Sequence, residues 1–226
     1  MRTDSIVIPG DAESANFREI RMGNIAPNTL YRSSHPIKDN KQEKVISLLA
    51  TQARIQTVIN LSDTDNEIKL KSIFAPWYNK LFNNDRVLAV GMDFSFNSEN
   101  FRKKLKKVLQ FITISEGPWL IHCHAGVDRT GIVSIILESL MGAMLDEIIT
   151  DYLKSYNSMY NSSIYDEVNK EDSLVVMRLL SVMYNSMPIN DQNLQSVTEN
   201  YLHNTIRLSA VEVNLLKSKL SENSGP

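Results

Sequence analysis

Residues 118–137 read PWLIHCHAGVDRTGIVSIIL, and this stretch decides the fold of the 226-residue chain. An apolar run at 118–121 leads within two residues to Cys123, the single cysteine of the sequence. Arg129 follows after five intervening residues, and a second apolar run begins at Ile132. Two short apolar runs around a polar, glycine-containing segment predict a strand, a tight loop and a helix.

The backbone of this loop is suited to holding an anion. Where a loop curls over the start of a helix, its amide groups converge on one point. The helix N-terminus adds partial positive charge, and the Arg129 guanidinium can bind two oxygens of a phosphate. Gly126 and Gly131 allow the backbone to turn closely. The predicted phosphate contacts are His124, Ala125, Gly126, Val127, Asp128 and Arg129.

Cys123 is the candidate nucleophile of this site. A thiol at a helix N-terminus beside a cation ionises readily, and the thiolate is the nucleophilic form. We expect it to attack phosphorus, form a phosphocysteine and release an alcohol or phenol. The Thr130 hydroxyl is expected to hydrogen-bond the sulfur, and His122 to orient the loop from behind. A lone buried cysteine is more often a small hydrophobic residue, but six matching positions in one strand-loop-helix context outweigh that interpretation.

The loop resembles the His-Cys-x5-Arg-Thr-Gly signature of the cysteine-dependent protein tyrosine phosphatase superfamily. Three further segments resemble the bacterial tyrosine and lipid phosphatases of the Mycobacterium PtpB and Listeria LipA type. They are NFREI at 16–20, LYRSS at 30–34 and a terminal helix pair between Tyr201 and Lys217. The resemblance implies a phosphomonoester hydrolase that works through a phosphocysteine. The implied enzyme is a protein tyrosine phosphatase or a dual-specificity phosphatase.

Two residues bear on the substrate and on phosphate binding. The PtpB type usually has lysine where this chain has Val127, and a lysine there adds charge for polyanionic headgroups such as phosphoinositides. Its absence favours phosphotyrosine over lipid, with His124 supplying some charge instead. By the resemblance of segment 30–34, Arg32 is a second phosphate contact. The alternative for Arg32 is an ordinary surface or salt-bridge arginine.

A leaving group needs a proton, and two aspartates are the main candidates for donating it. Segment 87–90 reads as a strand, and Asp93 follows it. In dual-specificity phosphatases the general acid lies about thirty residues before the cysteine, where Asp93 lies here. Asp128 is the rival, because an aspartate inside the loop is suspected of this role in the PtpB type and in myotubularins. Asp63 and Asp65 rank third, since they are more often turn or cap residues.

Two other functions stay open alongside a tyrosine phosphatase. One is a phosphoinositide or inositol-polyphosphate phosphatase, which shares the loop but normally has more basic residues around the pocket. The other is a catalytically silent phosphate-binding module. Intact Cys123, Arg129 and Thr130 favour an enzyme. A sulfurtransferase is disfavoured, because it has no use for a leaving-group acid.

The rest of the chain predicts an α/β fold with a short, mostly parallel sheet flanked by helices. The loop then lies at the C-terminal end of a strand, where such sheets bind ligands. We expect one phosphatase domain over 1–226, mostly helical from 146 to 226, with a lid at about 156–173 by analogy with the PtpB type. The predicted strands are 57–61, 87–90 and 119–123, and the predicted helices are 42–53, 98–115, 129–142, 146–159, 171–186, 190–204 and 209–220, with a helical or irregular region at 66–82.

Composition bounds the partners and the compartment. A net charge of −2 argues against nucleic acid, and the basic run 102–107 is more simply a solvated helix face. One cysteine permits no internal disulfide, and a nucleophilic thiol needs a reduced setting. The N-terminus opens no long apolar run, so we expect a cytoplasmic protein, the alternative being the mature form of an exported one. We expect a phosphorylated protein or small phosphomonoester as substrate and neither metal nor cofactor.

Overall fold

A five-stranded sheet forms the centre of the computed structural model, which describes residues 11–160, 176–178, 180–181, 183–184 and 188–222. The order across the sheet is β1-β2-β5-β3-β4. β1 runs antiparallel to β2, and the other pairings are parallel, which confirms the predicted mostly parallel sheet. The strands are β1 (Arg18–Glu19), β2 (Leu30–Ser33), β3 (Thr57–Asn60), β4 (Val87–Ala89) and β5 (Trp119–His122).

The helices follow the predicted segments closely, and the described residues beyond 145 are mostly helical, as expected. The region 66–82 resolves into two short helices joined by a 3-10 turn at Ser72–Phe74. The predicted lid at 156–173 lies mostly outside the described residues, as does much of the predicted helix 171–186. The α-helices are α1 (Asp11–Ser14), α2 (Asn40–Gln52), α3 (Asp65–Lys71), α4 (Pro76–Phe82), α5 (Glu99–Ile114), α6 (Asp128–Leu140), α7 (Leu145–Tyr160), α8 (Leu194–Asn204) and α9 (Ala210–Ser221).

The sheet separates two apolar layers, because successive strand side chains point to opposite faces. One layer contains the apolar sides of α5 to α9 and the strand residues Leu30, Ile59, Leu88 and Ile121. The other contains α2, α3 and α4 and the strand residues Tyr31, Val58, Val87 and Leu120. Both faces of the sheet are thus covered by helices, as is usual for a mainly parallel sheet.

Helix α5 shows how the sequence pattern produces this packing. Ser98 caps its start by accepting a hydrogen bond from the Phe101 amide (3.0 Å). Residues at helical spacing then bury one face completely, while the lysines between them face solvent, as predicted. The fully buried apolar residues are Phe101, Leu105, Val108, Leu109 and Ile112.

Helix α6 is buried on nearly every side. Its packing fixes the position of the loop that precedes it. Every residue from Thr130 to Leu140 is buried. A helix that is apolar around its whole circumference belongs to the interior of a domain. Among the residues that the structure describes, no helix has both the length and the apolar character needed to cross a membrane.

Candidate active site

The loop of residues 123–127 joins the C-terminal end of β5 to the start of α6. Because β5 lies between β2 and β3, the loop lies at the middle of the sheet edge. Cys123 is buried, with 2% of its surface exposed. Gly126 has φ +75°, and a Cβ there would lie 2.5 Å from the Ser33 carbonyl oxygen. Glycine at this position is therefore a steric requirement of the loop.

Hydrogen bonds hold the carbonyl groups of this loop from one side. The His35 amide donates to the His124 carbonyl (3.1 Å), the Asn16 side chain to the Ala125 and Gly126 carbonyls (3.3 and 3.2 Å), and Arg32 Nη2 to the Gly126 carbonyl (2.8 Å). In a trans peptide the C=O and N–H groups point in opposite directions, so the amides of Ala125, Gly126 and Val127 face away from these donors. No hydrogen bond among the described residues uses those three amides. Carbonyls bound on one side leave the three amides to donate on the other side, as an anion site requires.

Arg32, the predicted second phosphate contact, is buried and bonded to the carbonyl side of the loop. Its residue pairs with Ile121 across the β2–β5 ladder, so its side chain passes beneath the loop. The side chain is buried, and the guanidinium binds the Gly126 carbonyl and the carboxylate of Asp151 on α7. Arg32 therefore supports the carbonyl side of the loop.

A buried ionic cluster surrounds Arg32, and sequence reasoning missed most of it. Asp151 Oδ1 lies 2.9 Å from Arg18 Nε, and Arg18 also donates to the Ser155 hydroxyl (2.7 Å) and to Asn16. Burial opposes ionisation of Asp151, but the two arginines outweigh it and lower its pKa. Asn16, Arg18 and Arg32 stand inside the segments 16–20 and 30–34, so the motifs were visible although their role was not.

Glu138 on α6 adds a second carboxyl group to this cluster. It is fully buried, and its carboxyl group is hydrogen-bonded to the Asp151 side chain. Burial and the neighbouring Asp151 carboxylate raise the pKa of Glu138 well above its ordinary value. Glu138 is therefore held toward its protonated form beneath the loop.

His122 lies behind Cys123, at the position expected for orienting the loop. Burial lowers its pKa well below the ordinary value, so the ring is neutral at physiological pH. The Asn60 side chain donates to the Tyr78 hydroxyl (3.1 Å), and that hydroxyl lies 3.0 Å from His122 Nε2. His122 Nδ1 lies 3.5 Å from the Cys123 carbonyl oxygen. With Nε2 accepting from Tyr78, Nδ1 carries the proton toward the loop backbone.

Asp63 accepts hydrogen bonds from three side chains, one of which, Asn60, also donates to the Tyr78 hydroxyl beside His122. His35 Nδ1 accepts from the Ile37 amide (3.2 Å), so His35 Nε2 carries the proton and donates to Asp63 (2.5 Å). Lys71 and Asn60 also donate to Asp63 (2.6 and 2.9 Å). Burial opposes ionisation, but these bonds outweigh it and lower the pKa of Asp63 far below its ordinary value. Asp63 is thus a permanent carboxylate at neutral pH.

Arg129 reaches toward the segment that follows β4. Its Nη1 donates to the Met92 carbonyl oxygen (3.1 Å), and its guanidinium carbon lies 4.6 Å from the centre of the Phe94 ring. Its Nε is buried and has no hydrogen-bond partner within the described part of the chain. Asp93 stands between these two residues in the sequence, so its backbone lies close to the Arg129 side chain.

The two candidate acids differ in their surroundings. Asp93 is half-buried, and its carboxylate accepts from the Ser95 amide (2.9 Å) and the Asn100 side chain (2.6 Å). Asp128 is exposed and is the first residue of α6, where the helix dipole favours a carboxylate. Asp65 likewise begins α3. The contacts of Arg129 with the neighbours of Asp93 favour Asp93.

Three signature residues have side-chain surroundings that the sequence did not indicate. The Thr130 hydroxyl is buried without a hydrogen bond among the described residues, so the predicted bond to the Cys123 sulfur is not formed. Val127 is 1% exposed and packs in the apolar core. Gly131 lies inside α6, and a Cβ there would lie 2.8 Å from the Tyr152 ring. Gly131 is therefore needed for the packing of α6 against α7 and not for turning the loop.

His124 lies on the exposed side of the loop. Partial desolvation, Lys38 and His35 lower its pKa, so the ring is neutral at physiological pH. His124 therefore does not supply the charge that the missing lysine would have supplied. Lys38 is a cation that the sequence did not indicate, and it follows His35, whose amide donates to the His124 carbonyl of the loop (3.1 Å). The described residues contain no cluster of His, Cys, Asp or Glu able to hold a metal ion.

The class of cysteine-based phosphatases is defined by a cysteine in a strand-loop-helix turn. The loop carbonyls are hydrogen-bonded from behind, and an arginine stands at the start of the helix. Residues 12–222 match the family model described as "Tyrosine phosphatase family". The chain belongs to this family, and its class is that of phosphoric monoester hydrolases. No curated protein sequence matches the chain.

Among solved structures the chain is similar to the core catalytic domain of the PP-IP phosphatase SIW14 from S. cerevisiae in complex with citrate. The identity is 20%, the match covers 77% of this chain and 96% of that chain, and the TM-score is 0.43. A second structure of the Siw14 catalytic core is 19% identical over 76% of this chain and 98% of that one, with a TM-score of 0.41.

Proposed function

We propose that this chain hydrolyses phosphomonoesters through a phosphocysteine on Cys123. The observation that carries the proposal is the set of carbonyls held from behind by His35, Asn16 and Arg32. They direct the loop amides away from the protein support, as phosphate binding beside a nucleophilic thiol requires. In this proposal Arg129 holds phosphoryl oxygens through its fork of donors.

The proposed reaction has two steps. The Cys123 sulfur bonds to phosphorus while the bond to the leaving oxygen breaks, and Asp93 donates a proton to that oxygen. Water then attacks the phosphocysteine and gives a proton to the Asp93 carboxylate, the S–P bond breaks to restore the Cys123 thiolate, and phosphate leaves. Asp128 is the alternative acid. The contribution of Thr130 to the second step stays a prediction, because its hydroxyl lies apart from the sulfur in this structure.

Phosphotyrosine is one proposed substrate, and it is supported by Phe94 and not by Val127. Val127 packs in the core, so its apolar side chain carries no information about the charge of the pocket. The support now comes from Phe94, which is 57% exposed beside the Arg129 guanidinium. An exposed ring next to the phosphate-binding arginine offers a stacking surface for the phenyl group of phosphotyrosine.

A polyphosphorylated inositol, free or as a lipid headgroup, is the second candidate. The observation that favours it is the position of Lys38, whose backbone amide donates to the His35 carbonyl (3.4 Å) while the His35 amide donates to the His124 carbonyl of the loop (3.1 Å). Together with Arg129 it places two cations beside the loop, and a substrate with several phosphates uses more than one. Lys38 thus supplies positive charge that the loop lacks at position 127.

We also propose that the chain is a member of the PtpB and LipA type of bacterial phosphatases. Its support is that Asn16, Arg18 and Arg32, from the two N-terminal motif segments, form one hydrogen-bonded cluster with the loop. A single domain over 1–226 and a lid near 156–173 stay predictions of that relationship.

The first experiment compares the wild-type protein with Cys123→Ser on a chromogenic aryl phosphate. We expect hydrolysis by the wild type and background rates in the variant. Equal background rates in both would support the silent phosphate-binding module instead. Phosphate binding by the wild type and Arg129→Ala, measured by calorimetry, then shows whether the loop still holds an anion.

The second experiment assigns the substrate class. Phosphotyrosine peptides, phosphoserine peptides, phosphoinositide vesicles and inositol polyphosphates are compared at one pH with wild type, Phe94→Ala and Lys38→Ala. A phosphotyrosine enzyme loses activity mainly in Phe94→Ala, whereas an inositol polyphosphatase loses it mainly in Lys38→Ala. Equal effects of both variants on every substrate would contradict both assignments.

A further inference from the structure

A cleft lies between helix α5 and the turn that joins α8 to α9. Two adjoining cavities of about 450 and 250 Å³ form it, and they share Arg102, Thr205 and Arg207. A cavity of the larger size falls in the range of small-molecule sites. We call it the basic cleft below. The other lining residues with polar side chains are Asn97, Glu99, Lys103, Lys106, Tyr201 and Asn204.

Positive charge in the basic cleft exceeds negative charge. The lining of the larger cavity contains four cationic side chains and one carboxylate, that of Glu99. Glu99 is paired with Lys103 (2.8 Å). Arg102, Lys106 and Arg207 form no ion pair within the described part of the chain. These three cations are therefore not neutralised by a protein carboxylate.

The other carboxylates on the helices around the cleft have partners of their own. Helices α8 and α9 carry one acidic residue each. Glu199 on α8 is paired with Lys217 (2.8 Å). Glu212 on α9 accepts hydrogen bonds from the Gln110 side chain (2.7 Å) and from the Ser209 amide (2.7 Å). The charge of the cleft therefore selects an anion from outside the chain.

Arg207 is held at the cleft by a constrained backbone. Its φ is +62°, in the left-handed region that residues other than glycine seldom adopt. Lys106 Nζ donates to the Arg207 carbonyl oxygen (2.6 Å), and the Leu208 amide donates to the Leu202 carbonyl (2.9 Å). Such conformations persist where the surrounding structure enforces them, and they are frequent at ligand sites. The turn thus presents Arg207 in a fixed position.

Helix α5 separates the basic cleft from the segment that carries Asp93. Asn100 on α5 donates to the Asp93 carboxylate (2.6 Å). Arg102 and Lys106 follow Asn100 by two and six residues, which is roughly 200° and 240° around a helix. They therefore lie on the other side of α5 from Asp93. The basic cleft is a site distinct from the signature loop.

We propose that the basic cleft binds a small molecule that carries two or more phosphate groups. Arg102 and Arg207 each present a planar fork that binds two oxygens of a phosphate, and Lys106 adds a third positive charge. The amide groups of Asn97 and Asn204 supply neutral donors. One phosphate carries a charge of about −1.5 to −2 at neutral pH, so three unpaired cations match more than one phosphate. The proposal does not rest on the proposed catalytic function.

The test is calorimetric titration of pyrophosphate into Cys123→Ser, which removes the nucleophile and keeps the probe intact. We expect two binding sites, the signature loop and the basic cleft. Arg129→Ala in this background should remove the first site, and Arg102→Gln combined with Arg207→Gln should remove the second. Either glutamine variant alone should weaken the second site by roughly tenfold or more, because a charge-assisted hydrogen bond is lost.

Lys107→Gln is the matched control, because Lys107 is an exposed cation of α5 that does not line the cleft. Arg102→Lys should bind more weakly than the wild type and more tightly than Arg102→Gln, since it keeps the charge and loses the fork. Thermal unfolding of each variant separates a lost site from a lost fold. It should not change for Arg207→Gln, whose side chain is exposed.

Three outcomes would overturn the proposal: pyrophosphate binding that disappears completely in Arg129→Ala, unchanged binding in the combined Arg102→Gln and Arg207→Gln variant, or an equal loss in Lys107→Gln. Binding at the cleft alone would leave this proposal standing and would count against anion binding by the signature loop. The two proposals therefore fail separately.

Discussion

The Arg32 guanidinium donates a 2.8 Å hydrogen bond to the carbonyl oxygen of Gly126 while pairing with Asp151 on α7. This relationship links strand β2, the signature loop and helix α7 through one buried side chain. Both partners of the Arg32 guanidinium are protein groups, so we expect Arg32 to position the loop. A positioning role of this kind makes different predictions from direct phosphate contact.

Arg32→Lys should slow turnover by roughly 10- to 100-fold, because a lysine cannot bind Gly126 and Asp151 in the same geometry and small displacements of reacting groups are costly. The measurement is kcat and KM on an aryl phosphate. Asp151→Asn should give a similar loss of kcat, although Asp151 contacts no loop atom. Arg21→Lys, with a 59% exposed side chain, is the control. Wild-type kcat in Asp151→Asn would refute the coupling.

The acid assignment is tested with two leaving groups of different quality. Asp93→Asn should slow an aryl phosphate with a poor leaving group by roughly a hundredfold or more and leave a good leaving group nearly unchanged. The reason is that only the poor leaving group needs the proton in its transition state. Asp128→Asn is the matched variant. If it alone shows this selective loss, the role belongs to the loop aspartate.

The variants Gly126→Ala and Gly142→Ala separate the cost of backbone strain from the cost of a steric clash with the Ser33 carbonyl. Both glycines have positive φ, +75° and +77°, so alanine costs about 1–2 kcal/mol at either site. At Gly126 the Cβ also meets the Ser33 carbonyl at 2.5 Å, whereas at Gly142 the nearest atom is a side chain at 3.5 Å. We expect Gly126→Ala to lose aryl phosphatase activity and Gly142→Ala to keep it. Equal activities would remove the steric argument.

Glu138→Gln should change how stability depends on pH. Burial raises the pKa of Glu138, so the folded chain keeps a proton that the unfolded chain loses above about pH 4.3. The stability of the wild type therefore falls as pH rises through this window, and glutamine removes that loss. Urea unfolding from about pH 5 to about pH 8 should show Glu138→Gln gaining on the wild type. A constant difference would mean that Glu138 is ionised in the folded state.

Much of the fold follows from local pattern in the chain. Apolar runs at 118–121 and from Ile132 define strand β5 and helix α6 because strand and helix periods are properties of neighbouring residues. Cys123, Arg129 and Gly126 could be selected from spacing alone. The bounds of α2 and α5 were predicted to within two residues for the same reason.

The directions of side chains were decided by tertiary structure. The register of β2 against β5 places Arg32 beside the Gly126 carbonyl, and tertiary packing buries the Val127 side chain and leaves the Thr130 hydroxyl without a hydrogen bond among the described residues. Lys38 and Asp151 join the site from distant segments. The sequence by itself determined which residues form the loop and the elements around it. Which groups face the phosphate depends on how strands and helices pack, because packing contacts join residues far apart in the chain.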